Sequence, residues 1–493
     1  MSLRKRLLGA RSITSGALLY VVMRWFDRAV GAISTIVLAR LLTPDDFGLV
    51  ALATVVIGLA SMMLDLGVPI RLVQMNEIDE TDIDTGWTIQ LVEFLMIAGV
   101  LAALAPSISA FYGDPRLKLV LQIQALSMCL AGLSNMSAVL FQRRREYARE
   151  VTFFMSRRMA TFLVTLALAI YLRNYWALIV GSLFGTLFGV ALSYWMSPTI
   201  RRPTFRRWRR FASASIWLTA WSMGRYASEQ VDKLFVGKIA GSSNLGAYTL
   251  ADQVAAMPSS ELLLPMNRAI FPALSQKQHL PEEFRRIFLS GLGVQAMVAV
   301  PASIGLALVS PEAVRVLLGE KWLVAVPLLT VLALSYGLSG VSSGFNYLLI
   351  AMGRFRDQAS VYWGNCLVLA GSLFALSDRL DVNSVALVRL VTSVLFSIAL
   401  ITVALLGTNV VDFRACLKAV WRSVVAAGIM AACVAAIGMA GGSMHPAILL
   451  VTKILAGALA YTGALALLWR LSGCPEGAER WVLALLRRSF SRA

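Results

Sequence analysis

The sequence predicts an all-α integral membrane protein, and three observations support this fold class. Of its 493 residues, 58% are hydrophobic and only 15% are charged, whereas soluble chains are about one quarter charged. Apolar runs of roughly 20 residues recur from end to end, and each is long enough to cross about 30 Å of hydrocarbon. Proline residues stand in or beside the breaks between these runs, as helix-ending residues do. A large soluble helical protein would need polar helix faces, which most of these runs lack.

About fourteen transmembrane helices are predicted. They cover residues 13–40, 46–68, 86–111, 117–140, 151–171, 175–196, 211–237, 246–270, 286–309, 323–350, 358–376, 384–406, 421–439 and 446–469. The first run is too long for a cleavable signal peptide, and another span follows it. An even number of spans places both termini on one side of the membrane.

The distribution of Lys and Arg predicts which side that is. About 30 of the 45 basic residues lie in loops on the side of the N-terminus, and about eight lie in the opposite loops. Both termini are therefore expected in the cytoplasm. The net charge of +18 is explained by short basic turns beside anionic lipid headgroups, so nucleic-acid binding is not expected.

Two segments of the chain repeat at a constant offset. Leu38–Ala53 reads LARLLTPDDFGLVALA, and Val236–Ala251, 198 residues later, reads VGKIAGSSNLGAYTLA. Gly48 thereby aligns with Gly246. The offset equals six predicted helices, an even number, so both copies have the same orientation. Two parallel six-helix lobes around a central cavity are a transporter architecture.

The repeat predicts the domain organisation. Residues 1–200 would form an N-terminal lobe with spans 1–6, and residues 201–410 a C-terminal lobe with spans 7–12. Residues 411–493 would add two further spans and an amphipathic tail. In this tail Trp481 and the arginines around it predict a helix that lies on the cytoplasmic membrane surface.

The stretch GRYASEQVDKLFVG places four ionisable residues within one apolar span: Arg225, Glu229, Asp232 and Lys233. Each charge at a helix centre costs roughly 2.5–3.5 kcal/mol to insert. Because Arg225, Glu229 and Asp232 are spaced by four and three residues, they share one helix face. That face must contact protein or water rather than lipid.

The first span has a similar pattern, with Arg24, Asp27 and Arg28 on one face, and Asp27 aligns with Arg225 in the repeat. Further intramembrane carboxylates are Glu93 and Asp252. Such residues often mark a substrate or ion route, but buried ion pairs can also serve only to hold helices together.

Small and polar residues follow a helical spacing in the span near residue 340. These are Tyr336, Ser339, Ser343 and Asn346 or Tyr347. They would line a cavity or allow close helix packing. The two histidines, His279 and His445, lie in predicted loops, so no His-based metal site is expected. No phosphate-binding GxxxxGK[ST] loop occurs, and neither a cofactor nor enzymatic activity is expected.

The sequence resembles the Wzx-type polysaccharide-unit flippases of the multidrug/oligosaccharidyl-lipid/polysaccharide exporter superfamily. The likeness is carried by LARLLTPDDFGLVALATVVIGLASMMLDLGVPIRLVQ and VDKLFVGKIAGSSNLGAYTLADQVAAMP, with PEAVRVLLGEKW as a further match. It implies alternating access, dependence on an ion gradient, and transfer of a polyprenyl-diphosphate-linked oligosaccharide from the cytoplasmic to the periplasmic leaflet. It also implies a location in the bacterial inner membrane, with membrane lipids and a polysaccharide polymerase or export complex as partners.

Such a substrate would contact the charged and polar residues of the spans. Diphosphate would attract the arginines, because guanidinium pairs with phosphate oxygens in a bidentate way. The candidate cavity residues are Arg24, Asp27, Arg28, Arg225, Glu229, Asp232, Asn346 and Tyr347, and Glu93 and Asp252 are candidates for ion coupling. Three alternatives stay open: a drug or cation antiporter of the same superfamily, a flippase for the peptidoglycan precursor, and a membrane polysaccharide polymerase.

Overall fold

A computed structural model describes residues 13–64, 67–75, 77–211, 216–277, 279–408, 411–441, 444–475 and 477–480 of the chain. These residues form helices joined by turns, and no strand occurs among them. The predicted surface helix of the tail, which begins near Trp481, falls outside these ranges. The described chain divides into two compact units, Met1–Ile216 with Gly241–Gly246, and Trp217–Ala240 with Ala247–Ala493.

The first unit contains eight of the described helices. They are α1 (Ile13–Leu41), α2 (Pro44–Leu64), α3 (Val68–Gln74), α4 (Glu80–Tyr112), α5 (Arg116–Gly132), α6 (Ser137–Arg143), α7 (Tyr147–Leu172) and α8 (Trp176–Met196). The start of α4 is capped by Asp79, whose side chain accepts a hydrogen bond from the amide of Asp82.

The second unit contains most of α9 (Ile216–Pro258) and the helices that follow it. These are α10 (Leu264–Lys277), α11 (Pro281–Ala313), α12 (Ala325–Ala351), α13 (Phe355–Ala375), α14 (Val382–Thr408), α15 (Phe413–Ala440) and α16 (Pro446–Leu471). Helix α9 is interrupted at Gly241, whose φ of 76° and ψ of 176° suit a residue without a side chain.

Within the described ranges, nine helical segments are long and apolar enough to cross a membrane, and they belong to α2, α4, α7, α8, α11, α12, α14, α15 and α16. Large apolar side chains on these helices are exposed, for example Leu459 and Leu406, each at 74%. Such surfaces suit contact with lipid. The chain is a multi-pass membrane protein, and the number of fourteen spans stays a prediction.

Two predicted spans are interrupted in the structure. The predicted span 117–140 is divided into α5 and α6, and in the turn between them the Asn135 side chain donates to the backbone oxygens of Ser197 and Thr199. The predicted span 246–270 is interrupted by a π-helical turn at Ser259–Leu263. Periodicity alone did not reveal these breaks, because the first is marked by Gly132, Ser134 and Asn135 without a proline and the second only by Pro258 before it.

The two repeat glycines contact each other's segments in the first unit. A Cβ on Gly48 would overlap the carbonyl oxygen of Ser242, and a Cβ on Gly246 would overlap the carbonyl oxygen of Pro44. Pro44 and Ser242 are themselves 198 residues apart. The contact is therefore symmetric between the two copies of the repeat, and the small residues are required because backbone approaches backbone.

The basic stretch that follows α8 is held by carboxylates of α4. The Arg201 side chain is 2% exposed, and its Nη1 lies 2.6 Å from Glu80 Oε2. Arg207 and Arg210 both pair with Asp82, at 3.0 and 2.9 Å. These three arginines thus contact protein carboxylates, although the sequence had suggested lipid headgroups for the whole stretch.

Candidate functional site

A cavity of about 410 Å³ lies in the second unit, between helices α9, α10, α12, α13 and α14. Most of its lining residues carry a hydroxyl or an amide: Ser228, Ser259, Ser260, Asn267, Tyr336, Ser339, Ser342, Ser343, Asn346, Tyr347, Tyr362, Asn365, Thr392 and Ser393. The charged lining residues are Arg225, Glu229 and Arg389. A lining this polar among apolar helices is costly in a membrane and indicates a function.

The spacing of small residues on α12 explains how the cavity is built. Gly337 and Gly344 face α11, where a Cβ would overlap Ser303 and Gln295 respectively. Ser339 and Ser343 face the cavity instead. The sequence had left open whether the stripe packs helices or lines a cavity, and in the structure neighbouring positions of α12 do both.

Arg225 and Glu229 form a pair at the cavity. Arg225 Nη1 donates to Glu229 Oε1 at 3.0 Å, and their side chains are 45% and 48% exposed. The guanidinium carbon also lies 6.0 Å from the centre of the Trp221 ring. Both charges of the pair can therefore reach a ligand in the cavity.

Asp232, one helical turn further along α9, has a different environment. Its side chain is fully buried and pairs with Arg389 of α14, and the Tyr248 hydroxyl donates to its Oδ2 at 2.5 Å. At Asp232 the shared face therefore contacts protein, one of the two environments predicted for it, and a role of this residue in substrate binding stays a prediction. The cause is the approach of α14, whose Arg389 covers the Asp232 carboxylate.

Asp252 completes a buried network with these residues. Lys233 Nζ lies 2.8 Å from its Oδ2, Arg389 Nη2 lies 3.3 Å from its Oδ1, and the Tyr336 hydroxyl donates to Oδ1 at 2.9 Å. The two halves of α9 on either side of Gly241 thus face each other. With Asp232 included, two carboxylates and two cations balance in charge, as buried ions require.

Asn346 and Tyr347 both line the cavity. Gln358 Nε2 of α13 donates to Asn346 Oδ1 at 2.7 Å, which fixes the orientation of the amide. The Tyr347 ring lies 6.2 Å from the ring of Phe271, between centroids. Their role in substrate binding stays a prediction.

The remaining predicted residues lie in the first unit. Asp27 pairs with Arg158 of α7 at 3.0 Å, and its side chain is 63% exposed. Arg24 and Arg28 are half-buried, and Glu93 is buried within α4. None of these four lines the cavity of the second unit. Contact between the substrate and Arg24, Asp27 or Arg28 stays a prediction, and so does ion binding at Glu93.

Sequence reasoning missed Arg389, which contacts both Asp232 and Asp252. The signal was present, since Arg389 is the lone charge in the apolar run VALVRLVTSVLF. A single arginine within the membrane has a high insertion free energy unless it pairs with another group. The three-dimensional structure was needed to identify that partner, because Asp232 is 157 residues away.

A second cavity, of about 970 Å³, lies in the first unit beside the start of α4. Its lining includes Asp79, Asp82, Arg207 and Arg210, which pair with one another. Among the described residues of the whole chain, no group of three or more His, Cys, Asp or Glu side chains is arranged to hold a metal ion.

Comparison with known proteins gives a consistent result. Residues 37–327 match the family model described as polysaccharide biosynthesis protein. The lipopolysaccharide biosynthesis protein WzxC of Escherichia coli (strain K12) is 26% identical over 72% of this chain and 72% of its own length. The succinoglycan biosynthesis transport protein ExoT of Rhizobium meliloti (strain 1021) is 26% identical over 66% of each chain.

A solved structure also matches the fold. The inward closed conformation of the lipid II flippase MurJ superposes with a TM-score of 0.72 over 92% of this chain and 99% of that chain, at 13% identity. At this identity the likeness concerns the fold alone. The chain therefore has the all-helical fold of a known membrane transporter.

Proposed function

Since this chain belongs to the polysaccharide biosynthesis protein family, we propose that it is a polysaccharide-unit flippase. Its substrate is a polyprenyl-diphosphate-linked oligosaccharide, and it moves this lipid from the cytoplasmic to the periplasmic leaflet by alternating access. The product serves the assembly of exopolysaccharide, capsule or O-antigen. In this proposal the chain is a secondary transporter rather than an enzyme.

The observation that carries the proposal is the polar cavity of the second unit. Its hydroxyl and amide groups lie among helices long and apolar enough to span the bilayer. A site for a glycan needs many hydrogen-bonding groups, whereas sites for drug-like molecules are mostly apolar. The lining therefore favours a sugar-bearing substrate over a drug substrate.

The names of the similar proteins support transport of such a lipid. ExoT is named as a transport protein of succinoglycan biosynthesis, and MurJ is named as a flippase for a lipid. A lipid-linked sugar needs a polar site for its head while its tail stays in the bilayer. The same arrangement suits the substrate proposed for this chain.

The proposal includes the location and the energy source. The chain lies in the bacterial inner membrane with both termini in the cytoplasm, as the basic loops predict. Transport is coupled to an ion gradient, with Glu93 and Asp252 as candidate sites. At Asp252 a coupling ion would compete with Lys233, whose ammonium group lies 2.8 Å from the carboxylate.

The direct test is a transport assay in vesicles that contain the purified chain. A fluorescent lipid-linked oligosaccharide is placed in both leaflets, and its exposure to a membrane-impermeant quencher is measured with and without an imposed ion gradient. We expect gradient-dependent movement of the diphosphate-linked oligosaccharide. Movement of a cationic drug but not of the lipid-linked sugar would contradict the proposal and favour an antiporter.

A further inference from the structure

The cavity of the second unit combines many hydrogen-bonding groups with balanced charge. The charged lining residues and the buried network that contacts them contain three cations and three carboxylates, and each of these charges is paired. A further carboxylate, Glu261, accepts a hydrogen bond from the lining residue Ser260 at 2.9 Å. Arg225 pairs with Glu229 at 3.0 Å. Lys233, Arg389 and the two buried aspartates form the network described above. No net charge is therefore offered to a ligand by these six side chains.

The hydroxyl groups of the lining are oriented by their own helices. The Ser339 hydroxyl donates to the carbonyl oxygen of Ser335 at 3.0 Å. The Ser343 hydroxyl donates to the carbonyl oxygen of Gly340 at 2.7 Å. The Thr392 hydroxyl donates to the carbonyl oxygen of Arg389 at 3.0 Å. Because each hydroxyl proton is used in this way, its oxygen presents a lone pair to the cavity. Hydroxyl oxygens of this kind accept hydrogen bonds from the hydroxyl groups of a ligand.

Amide groups from different helices are also held in place. Asn365 Nδ2 of α13 donates to the Ser228 hydroxyl of α9 at 2.5 Å, and Asn267 Nδ2 of α10 donates to Ser343 of α12 at 3.3 Å. An amide both donates and accepts hydrogen bonds. Such pre-oriented groups favour a ligand with many hydroxyls, which also both donate and accept.

The aromatic residues add apolar surface with a polar end. The rings of Tyr336, Tyr347 and Tyr362 line the same cavity. A tyrosine presents a flat apolar ring together with a hydroxyl, and a sugar ring likewise has an apolar C–H face with hydroxyls at its rim. The volume of about 410 Å³ lies within the range of small-molecule sites.

We infer that this cavity is the subsite for uncharged sugar residues of the transported glycan and that it disfavours acidic sugars. The inference rests on the proposed function and names the substrate class of its site. A carboxylate that entered the cavity would lose part of its hydration and would meet Arg225 and Arg389 only together with the carboxylates that pair with them, so its charge would be poorly compensated. The diphosphate of the substrate binds outside this cavity for the same reason.

The first test measures binding of free glycans, which does not depend on transport. Purified full-length protein in nanodiscs is titrated calorimetrically with a neutral hexose oligosaccharide and with one of equal length that contains a hexuronic acid. We expect the neutral glycan to bind at least about tenfold more tightly, since one uncompensated charge costs more than 1.4 kcal/mol. Equal binding, or tighter binding of the acidic glycan, would overturn the inference.

Two pairs of variants separate the cavity from the rest of the protein. Thr392→Val keeps the shape of the side chain but removes the hydroxyl, and it should weaken binding of the neutral glycan by about fivefold. Thr462→Val is the matched control, because Thr462 is exposed on α16 and its hydroxyl donates to its own helix. Ser393→Lys should raise the affinity for the acidic glycan, whereas Ser393→Gln should not. Unchanged binding in both Thr392→Val and Ser393→Lys would overturn the inference.

The transport assay distinguishes the inference from the proposed function. The same two glycans are linked to polyprenyl diphosphate and compared in vesicles. If neither lipid moves while the neutral free glycan still binds selectively, the flippase proposal fails and the subsite assignment stands. If both lipids move at the same rate and Ser393→Lys leaves their ratio unchanged, the flippase proposal stands and the subsite assignment fails.

Discussion

Two ion-pair regions on helix α9 lie about one helical turn apart and differ in exposure and in the helices that they join. The Arg225–Glu229 pair joins residues of one helix, and nearly half of each side chain is exposed. The network around Asp232 joins α9, α12 and α14, and the side chains of its four ionic members are at most 11% exposed. The first pair is accessible to a ligand, whereas the second region connects helices.

Side-chain exposure separates the intramembrane charges that can bind a ligand from those that stabilise the fold. An exposed pair is screened by water and contributes about 0–1 kcal/mol to stability. Removal of one partner from a buried pair leaves an uncompensated charge and costs about 3–5 kcal/mol. We therefore expect the exposed pair to affect transport more than folding, and the buried network to affect folding first.

The largest effect is expected for Arg389→Met. This change removes the cation that pairs with the buried Asp232 carboxylate and leaves the hydrogen bond from the Tyr248 hydroxyl. The free energy of unfolding should therefore fall by about 3–5 kcal/mol. Thermal or denaturant unfolding of the purified protein in detergent measures this loss. Addition of Asp232→Leu should recover most of it, and a double variant as unstable as the single one would show that Arg389 acts through other contacts.

A smaller loss is expected for Tyr248→Phe, which removes the hydroxyl that donates to Asp232 at 2.5 Å. Hydrogen bonds to charged groups contribute about 1.5–3 kcal/mol, so the unfolding free energy should fall by about that amount. Tyr171→Phe is the matched control, because this tyrosine is 86% exposed. Equal stability of both variants would contradict a structural role for the buried network.

The smallest effect on stability is expected for Arg225→Ala, at about 0–1 kcal/mol because the pair is exposed and screened. Complementation of polymer export should nevertheless be lost, with membrane levels of the protein close to wild type. Arg225→Lys should give partial export, since the ammonium keeps the charge but offers sugar hydroxyls fewer N–H donors than the planar guanidinium.

The double variant Arg225→Ala with Glu229→Ala distinguishes binding from pairing. If Arg225 binds substrate, the double variant stays inactive in the export assay. Normal export by the double variant would show that the arginine serves only to neutralise Glu229. The exposed pair would then have no role in substrate binding.

The sequence alone determined the fold class, the positions of most helices and the family. The reason is physical: in a membrane each helix satisfies its own backbone hydrogen bonds, so length and hydropathy specify helices locally. The family resemblance stated from LARLLTPDDFGLVALA and its repeat is confirmed by the match over residues 37–327. Gly48 and Gly246, aligned from sequence, also contact each other's segments in the structure.

Only the tertiary structure decided which charges are accessible and which are buried. Arg225 and Asp232 occupy the same face of α9 by spacing, yet Arg389 of α14 covers only Asp232. This partner is 157 residues away in sequence. Helical spacing specifies neighbours within one helix, whereas burial depends on which other helix packs against that face, and local spacing carries no information about this.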